Sequence, residues 1–252
     1  MKILIVVTLE KEKEALLKSI KRNNKLLIEP NSLIKKINIF NDKIKEDIEV
    51  GILELEQIGN IEAAIKTYRA LSIFKPSLVI LTGICGGFKK YGNLNLGDLI
   101  IPKQIIYYEL GKVKKNEIVR RFSIIKTEKE LHKSVKKLVK DLDISNVIFT
   151  SILTGEKIIA DERFYEELSS HFPDIVATEM ESYGIYQAIK ASGLDADFLV
   201  IKSIGDWADN TKSDSYQKTA SKVASEFVIA LIKNMKFKIK KRKQQRTKHI
   251  RS

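Results

Sequence analysis

The chain alternates short, almost wholly apolar runs with stretches of helical periodicity, and this alternation limits its fold more than any other feature. Residues 2–8 (KILIVVT), 76–85 (PSLVILTGIC), 147–155 (VIFTSILTG) and 197–206 (DFLVIKSIGD) are near-continuous apolar runs. Strands without in/out alternation are expected where a parallel sheet is covered by helices on both faces. Between them, apolar residues recur at three- and four-residue spacing over 9–22, 60–74, 129–142, 162–172, 181–192 and about 215–236, which predicts helices. Asn60 is placed to cap the second of these and Gly193 to end the fifth. Segments 33–40 and 47–55 read as a strand pair, and 98–113 as extended, with Pro102 at a bend or edge. DIVATEM, ending at Met180, is one more apolar run. No repeat or linker divides the body. The expectation is α/β: a single domain over 1–233, with a central mixed, mostly parallel sheet flanked by helices.

Charge marks off the end of the chain. Residues 234–252 hold nine of the 45 Lys and Arg and none of the 32 Asp and Glu, so only +4 of the net +13 belongs to the rest. Such a run is expected to be a disordered basic tail. It reads first as solvated surface and second as a contact for RNA or anionic lipid. No apolar run approaches the ~20 residues that span a bilayer. The N-terminus lacks the pattern of a signal peptide. The single cysteine, Cys85, permits no internal disulfide and fits a reducing compartment. A cytoplasmic protein is expected.

Function is sought beyond the carboxyl ends of the strands, where open α/β sheets bind ligands. Thr8 is followed by Glu10 and Glu12; 76–85 runs into Gly86 and Gly87; 147–155 ends in TGEKII; DIVATEM ends in Glu179-Met180-Glu181; 197–206 ends in GDWAD with Asp206 and Asp209. These five ends are expected to converge on one rim. The acids carry no D-x-D or H-x-x-E spacing for a metal, and no G-x-S-x-G or phosphate loop is present. An acid-lined pocket suits a reaction in which positive charge develops. Cleavage at a sugar carbon is one: one carboxyl protonates the leaving group, and another carboxylate orients water. Glu12, Glu181 and Asp206 are candidates. On sequence grounds alone, Glu181 and Asp206 also read as N-cap or first-turn acids facing a helix dipole, and Glu12 as one of several solvated acids on the first helix, beside Glu10 and Glu14.

Five ordered segments, KILIVVTLEKEKEAL, ILTGICGGF with LGDLIIP, LTGEKII, IVATEMESYGIYQAI and VIKSIGDWAD, resemble the nucleoside phosphorylase/nucleosidase superfamily, of the methylthioadenosine/S-adenosylhomocysteine nucleosidase type. The resemblance covers about residues 1–233. It implies hydrolysis of the N-glycosidic bond of an adenine nucleoside or derivative, a small-molecule substrate, no cofactor and a homodimer. It further implies that Asp206 protonates N7 of the purine and is kept protonated by burial, and that Glu12 positions the attacking water. Glu181 would bind the ribose hydroxyls, Met180 would pack beneath the ribose, and Glu179 would join the same wall. Ile84, Cys85 and Gly86 would form the backbone strip beside sugar and base, and the backbone of Ile159 would read the purine edge.

The departures from the family pattern matter. Phosphorylases of this superfamily place an arginine ahead of the glycine strip, where this chain has Leu81. They carry glycine and arginine after the first strand, where this chain has LEKEKE. A phosphate dianion would meet carboxylates there and not guanidinium forks. Water is therefore favoured, with phosphorolysis as the alternative. The position where many nucleosidases stack an aromatic on the base is Ile158, and a serine before the acid becomes Gly205. Other branches of the superfamily act on nucleotides in defence and signalling. For such a substrate, Lys112, Lys114, Arg120 and Arg121 are either phosphate contacts or ordinary surface charge. A nucleoside-sensing or RNA-associated protein using the tail is the non-enzymatic alternative.

Overall fold

The structure, a computed structural model, describes residues 1–21, 32–115 and 118–237. In the first half, β1 (Lys2–Val7), α1 (Glu10–Lys21), β2 (Ile34–Asn41), β3 (Glu46–Glu54), α2 (Asn60–Phe74) and β4 (Leu78–Gly87) follow the expected boundaries closely. β1 runs parallel to both β3 and β4, and β2 pairs antiparallel with β3. The expected extended segment at 98–113 is broken into β5 (Leu99–Ile100), β6 (Gln104–Tyr107) and β7 (Gly111–Val113). β7 forms a small hairpin with β8 (Ile118–Arg120), and β9 (Ser123–Lys126) returns antiparallel to β6. After α3 (Lys129–Asp141), the expected strand at 147–155 is two strands, β10 (Val147–Ile148) and β11 (Ser151–Thr154). They serve different parts of the sheet: β10 pairs with β5 and β11 with β6. Between them Thr150 bonds sideways, its hydroxyl donating to the Asp174 carbonyl, and the ladder is interrupted. α4 (Glu162–Ser169), β12 (Ile175–Glu179), α5 (Ser182–Ser192), β13 (Asp197–Trp207) and α6 (Gln217–Asn234) complete the order.

One mixed sheet of eleven strands results, as expected, but it has two grains. β3, β1, β4 and β13 run parallel to their neighbours in that order. β6, β11 and β12 form a second parallel block. The blocks meet head-on where Ala177 and Thr178 of β12 pair antiparallel with Gly87 and Gly86 of β4.

The apolar strands are covered on both faces. Ile3, Ile5, Ile80 and Ile201 face a core closed by Leu16 and Ile20 of α1, Val135 of α3 and Phe227 and Leu231 of α6. The alternate residues Leu4, Val6, Val79, Leu81 and Val200 face a second core closed by α2 and α5. A third cluster, under α4, joins Phe88, Tyr108, Leu153, Ile159 and Ala208. Asn60 is not the cap of α2: Gly59, which has no side chain to cap with, holds that position. The Asn60 side chain instead ties three elements, donating to the Gly155 carbonyl at 3.0 Å and accepting from Gly184 N at 2.9 Å. A Cβ on Gly184 would stand 1.9 Å from the Asn60 carbonyl oxygen, so glycine is required where α2 and α5 meet. Gly193 ends α5 in the left-handed region, as expected.

Packing continues past residue 233, since Met235 and Phe237 are buried against the α6 side. Residues 238–252, with the expectation of a disordered basic tail, lie outside the described residues. Among the described residues, no helix is long and apolar enough to cross a membrane.

Candidate active site

The strip Gly83–Gly87 of β4 gathers the acids, but not as a common rim. β1 and β13 bring Glu12 and Asp206 to it from one grain of the sheet, and β12 brings Glu179 and Glu181 from the other. Glu12 lies in the first turn of α1 and is 1% exposed. Its Oε2 accepts from the backbone N–H of Thr8 at 2.8 Å and of Leu9 at 3.0 Å, so it is a buried acid of the helix start and not a solvated one. Its Oε1 reaches further and accepts from Ile84 N at 2.8 Å, which pins α1 to the strip. The close approach depends on Gly83: its φ is +143°, and a Cβ there would stand 2.1 Å from Oε1.

Glu179 and Glu181 divide the work at the β12–α5 joint. Glu179 turns inward to the helix start, where its Oε2 accepts from Glu181 N at 2.9 Å and Ser182 N at 3.0 Å. Burial, and next the neighbouring Glu181 carboxylate, raise its carboxyl above the ordinary range. Glu181 occupies the cap position of α5 with its backbone only. Its Oε2 lies 3.2 Å from Lys202 Nζ, and its Oε1 accepts from Gly59 N at 3.5 Å.

Lys202 was not among the residues expected here. It is 1% exposed, in the middle of β13 and in register with Gly83. Burial by itself would lower its ammonium, but Glu181, Glu12 and Glu179 outweigh that and hold it above the usual lysine range. The signal was visible: one lysine inside FLVIKSI, a strand otherwise apolar on both faces. A charge in such a strand requires a buried partner.

Asp206 follows a shift in the β13–β4 register between Ile204 and Asp206. Bulges of this kind re-aim the next side chain. Gly205 has a local reason, since a Cβ there would meet Ile84 Cβ at 3.0 Å. Asp206 is buried as expected, but burial is not its whole environment. Its Oδ2 accepts from Lys212 Nζ and, at 3.0 Å, from Gln217 Nε2. Its Oδ1 lies on the Gly86 side. Gln217 is held in turn by Lys11 and Asp214.

The remaining expected residues lie along the same line. Ile84, Gly86 and Met180 are partly exposed. Cys85 is 4% exposed, and burial pushes its thiol up, which argues against a nucleophile. Ile159 packs with Phe88 and Ala208, whereas Ile158 is exposed. The TGEKII loop is fastened to the joint, with Gly155 N donating to the Glu179 carbonyl and Asn60 N to Glu156 Oε2. Asp209 closes its own turn by accepting from Thr211 N at 2.7 Å. Of the basic residues near the hairpin, Arg120 is paired with Glu167 on α4 and lies near the Tyr108 ring. Among the described residues, no group of three or more His, Cys, Asp or Glu is arranged to hold a metal ion.

A buried carboxylate–ammonium pair, a pinned glutamate and a buried aspartate line one bare backbone strip, and residues 2–235 match the phosphorylase superfamily. The chain belongs to that superfamily. The chain is 29% identical over 196 residues to a 5′-methylthioadenosine/S-adenosylhomocysteine nucleosidase from Exiguobacterium sp., covering 75% of this chain and 82% of that protein. A crystal structure of the nucleosidase of that name from Neisseria meningitidis, with methylthio-immucillin-A, superposes with a TM-score of 0.71 at 21% identity, covering 92% of this chain and 98% of the other. A futalosine hydrolase from Helicobacter pylori gives 0.72 at 18% identity, covering 92% and 97%. At those identities the structural likeness establishes the fold, and the fold serves differently named enzymes.

Proposed function

We propose that this member of the phosphorylase superfamily hydrolyses the N-glycosidic bond of an adenine nucleoside or nucleoside derivative and releases the free base. The observation that carries the reading is the charge pattern at Gly83–Ile84. The Ile84 N–H, a natural anion donor, is taken by the Glu12 carboxylate, and the neighbouring cation, Lys202, is consumed by Glu181. A phosphate dianion would be repelled there, whereas a neutral water is held and polarised by Glu12. Glu181, oriented by Lys202, accepts from ribose hydroxyls, with Met180 and the Glu179-capped joint forming the wall beneath. As the glycosidic bond lengthens, the sugar takes on positive charge and the base negative charge. The carboxylates stabilise the first, and Asp206, once loaded with a proton, relieves the second at N7.

The test is a panel of adenine nucleosides incubated with and without inorganic phosphate, with free base followed by chromatography. Adenine release at the same rate in both, with unphosphorylated sugar as co-product, is expected. Release that requires phosphate and gives a sugar 1-phosphate would instead support phosphorolysis.

The exposed Ile61, Ile65 and Tyr68 of α2, with Ile58 and Ile158 beside its start, are apolar residues left open to solvent. They support the homodimer as the working form, since contiguous apolar surface of this kind marks an interface. Light scattering of the purified chain should give twice the chain mass, and a monomer mass at micromolar concentration rules the dimer out.

A further inference from the structure

Beside the strip lies a cavity of ≈ 120 Å³, lined by Phe88, Lys89, Lys90, Tyr165, Ala208 and Asp209, with Glu162 also at its wall. None of the residues assigned to base, ribose or water lines it. It nevertheless continues the same line. Along β4, Gly83 is in register with Lys202, the partner of Glu181, and Gly86 with Asp206. Phe88 and Ala208 are the residues just beyond, and Ala208 N donates to the Gly87 carbonyl at 2.9 Å. The order is therefore ribose end, acid, cavity.

The direction of the acid agrees. Lys212 and Gln217 occupy Oδ2 of Asp206. A Cβ built on Gly86 stands 3.2 Å from Oδ1 and 3.3 Å from Ala208 Cβ, so Oδ1 and Ala208 face the same point of the strip. In a purine protonated at N7 by Oδ1, N7 is flanked by C8 on one side and, through C5, by the 6-position on the other. C8 lies on the ribose side of N7 and points back towards Gly83. The 6-position lies on the other side and points past Ala208.

We propose that this cavity is a subsite for a substituent on the 6-position of the purine, so that the enzyme accepts 6-alkylamino and 6-arylamino purine nucleosides as well as adenine ones. The inference rests on the glycosidase reading given above. The wall chemistry sets the class. Phe88 and Tyr165 present two rings with centroids 5.0 Å apart, which suits an apolar or planar group. Of the charges there, Lys90 pairs with Glu162 and Glu166 and Asp209 is hydrogen-bonded within its own turn, while Lys89 is exposed at the edge. The two rings, and not these charges, set the class of substituent.

The test compares the parent, the adenine nucleoside cleaved fastest in the panel above, with its 6-benzylamino counterpart, following free base for the wild type and for Tyr165→Ala. In the wild type, kcat/KM for the benzylamino nucleoside should fall within about tenfold of the parent, a difference of about 1.4 kcal/mol. In Tyr165→Ala the ratio of benzylamino to parent should drop by roughly tenfold, the effect of losing one aromatic wall. Cleavage of the parent with rejection of the benzylamino nucleoside by more than about a hundredfold overturns the subsite and leaves the glycosidase reading standing. If no adenine nucleoside of the panel is cleaved while the protein is folded, the glycosidase reading falls and the subsite falls with it. The wild-type arm decides by itself should Tyr165→Ala fail to fold.

Discussion

Asp206→Asn should lower base release by about a hundredfold to ten-thousandfold, the usual cost of removing a general acid, and leave the protein folded. Asparagine has the same shape, and its oxygen can still accept from Lys212 and Gln217, the two groups that now hold Oδ2. It cannot deliver a proton to N7. The charge left on Lys212 is partly solvated, because that side chain is 29% exposed. The two effects are therefore separable: chromatography of free adenine reports the chemistry, and a thermal melt reports the fold. Full activity in Asp206→Asn would mean that another group protonates the base, and the assignment of the acid would be wrong.

Lys202→Met should have its largest effect on stability. Lys202 and Glu181 have side chains only 2% and 5% exposed. Removing one partner leaves Glu181 as an unpaired buried charge beside Glu12 and Glu179, which costs on the order of 3–5 kcal/mol. At about 2–4 °C per kcal/mol for a domain of this size, the melting temperature should fall by roughly 6–20 °C. The double variant Lys202→Met/Glu181→Gln removes the stranded charge as well, so it should recover part of the loss without recovering activity. A single variant that melts with the wild type would show that the three carboxylates do not depend on the lysine.

The difference between these two residues reflects how each is visible in the sequence. Asp206 stands at a strand end, where polar residues are sought, and its motif IGDWAD is local. Its partners are not: Lys212 lies six residues on, and Lys11, which holds Gln217, comes from the first helix. The spacing of 206 from 11 says nothing of their meeting. Lys202 was readable only as an anomaly, a charge where both faces of the strand are buried. The anomaly required a buried partner but did not say which acid. Glu179 and Glu181 show the same limit. Two carboxylates two residues apart were legible as a pair, but which one turns to the α5 start and which to Lys202 depends on where β13 passes.

Local order was read well where one periodicity ran unbroken, as in α2 and β1, and poorly where a segment changes partners. The segments at 98–113 and 147–155 each look like one strand because isoleucine, valine, threonine and aromatic residues recur along them. Their breaks arise from the sheet changing grain, which no local preference records. The subsite beside Phe88 was not foreseen either, because its lining is drawn from the turn after β4, α4 and the turn after β13.

By itself the sequence determined the doubly covered α/β sheet, the helices that cover it and the presence of acids at its strand ends, because these follow from apolar periodicity and short-range motifs. Only the tertiary structure decided that the sheet has two opposed grains, that the acids meet along Gly83–Gly87, and that Lys202 and Lys212 hold two of them. Electrostatic partnership is set by distance in space, and in this chain the partners are brought together by strands far apart in sequence.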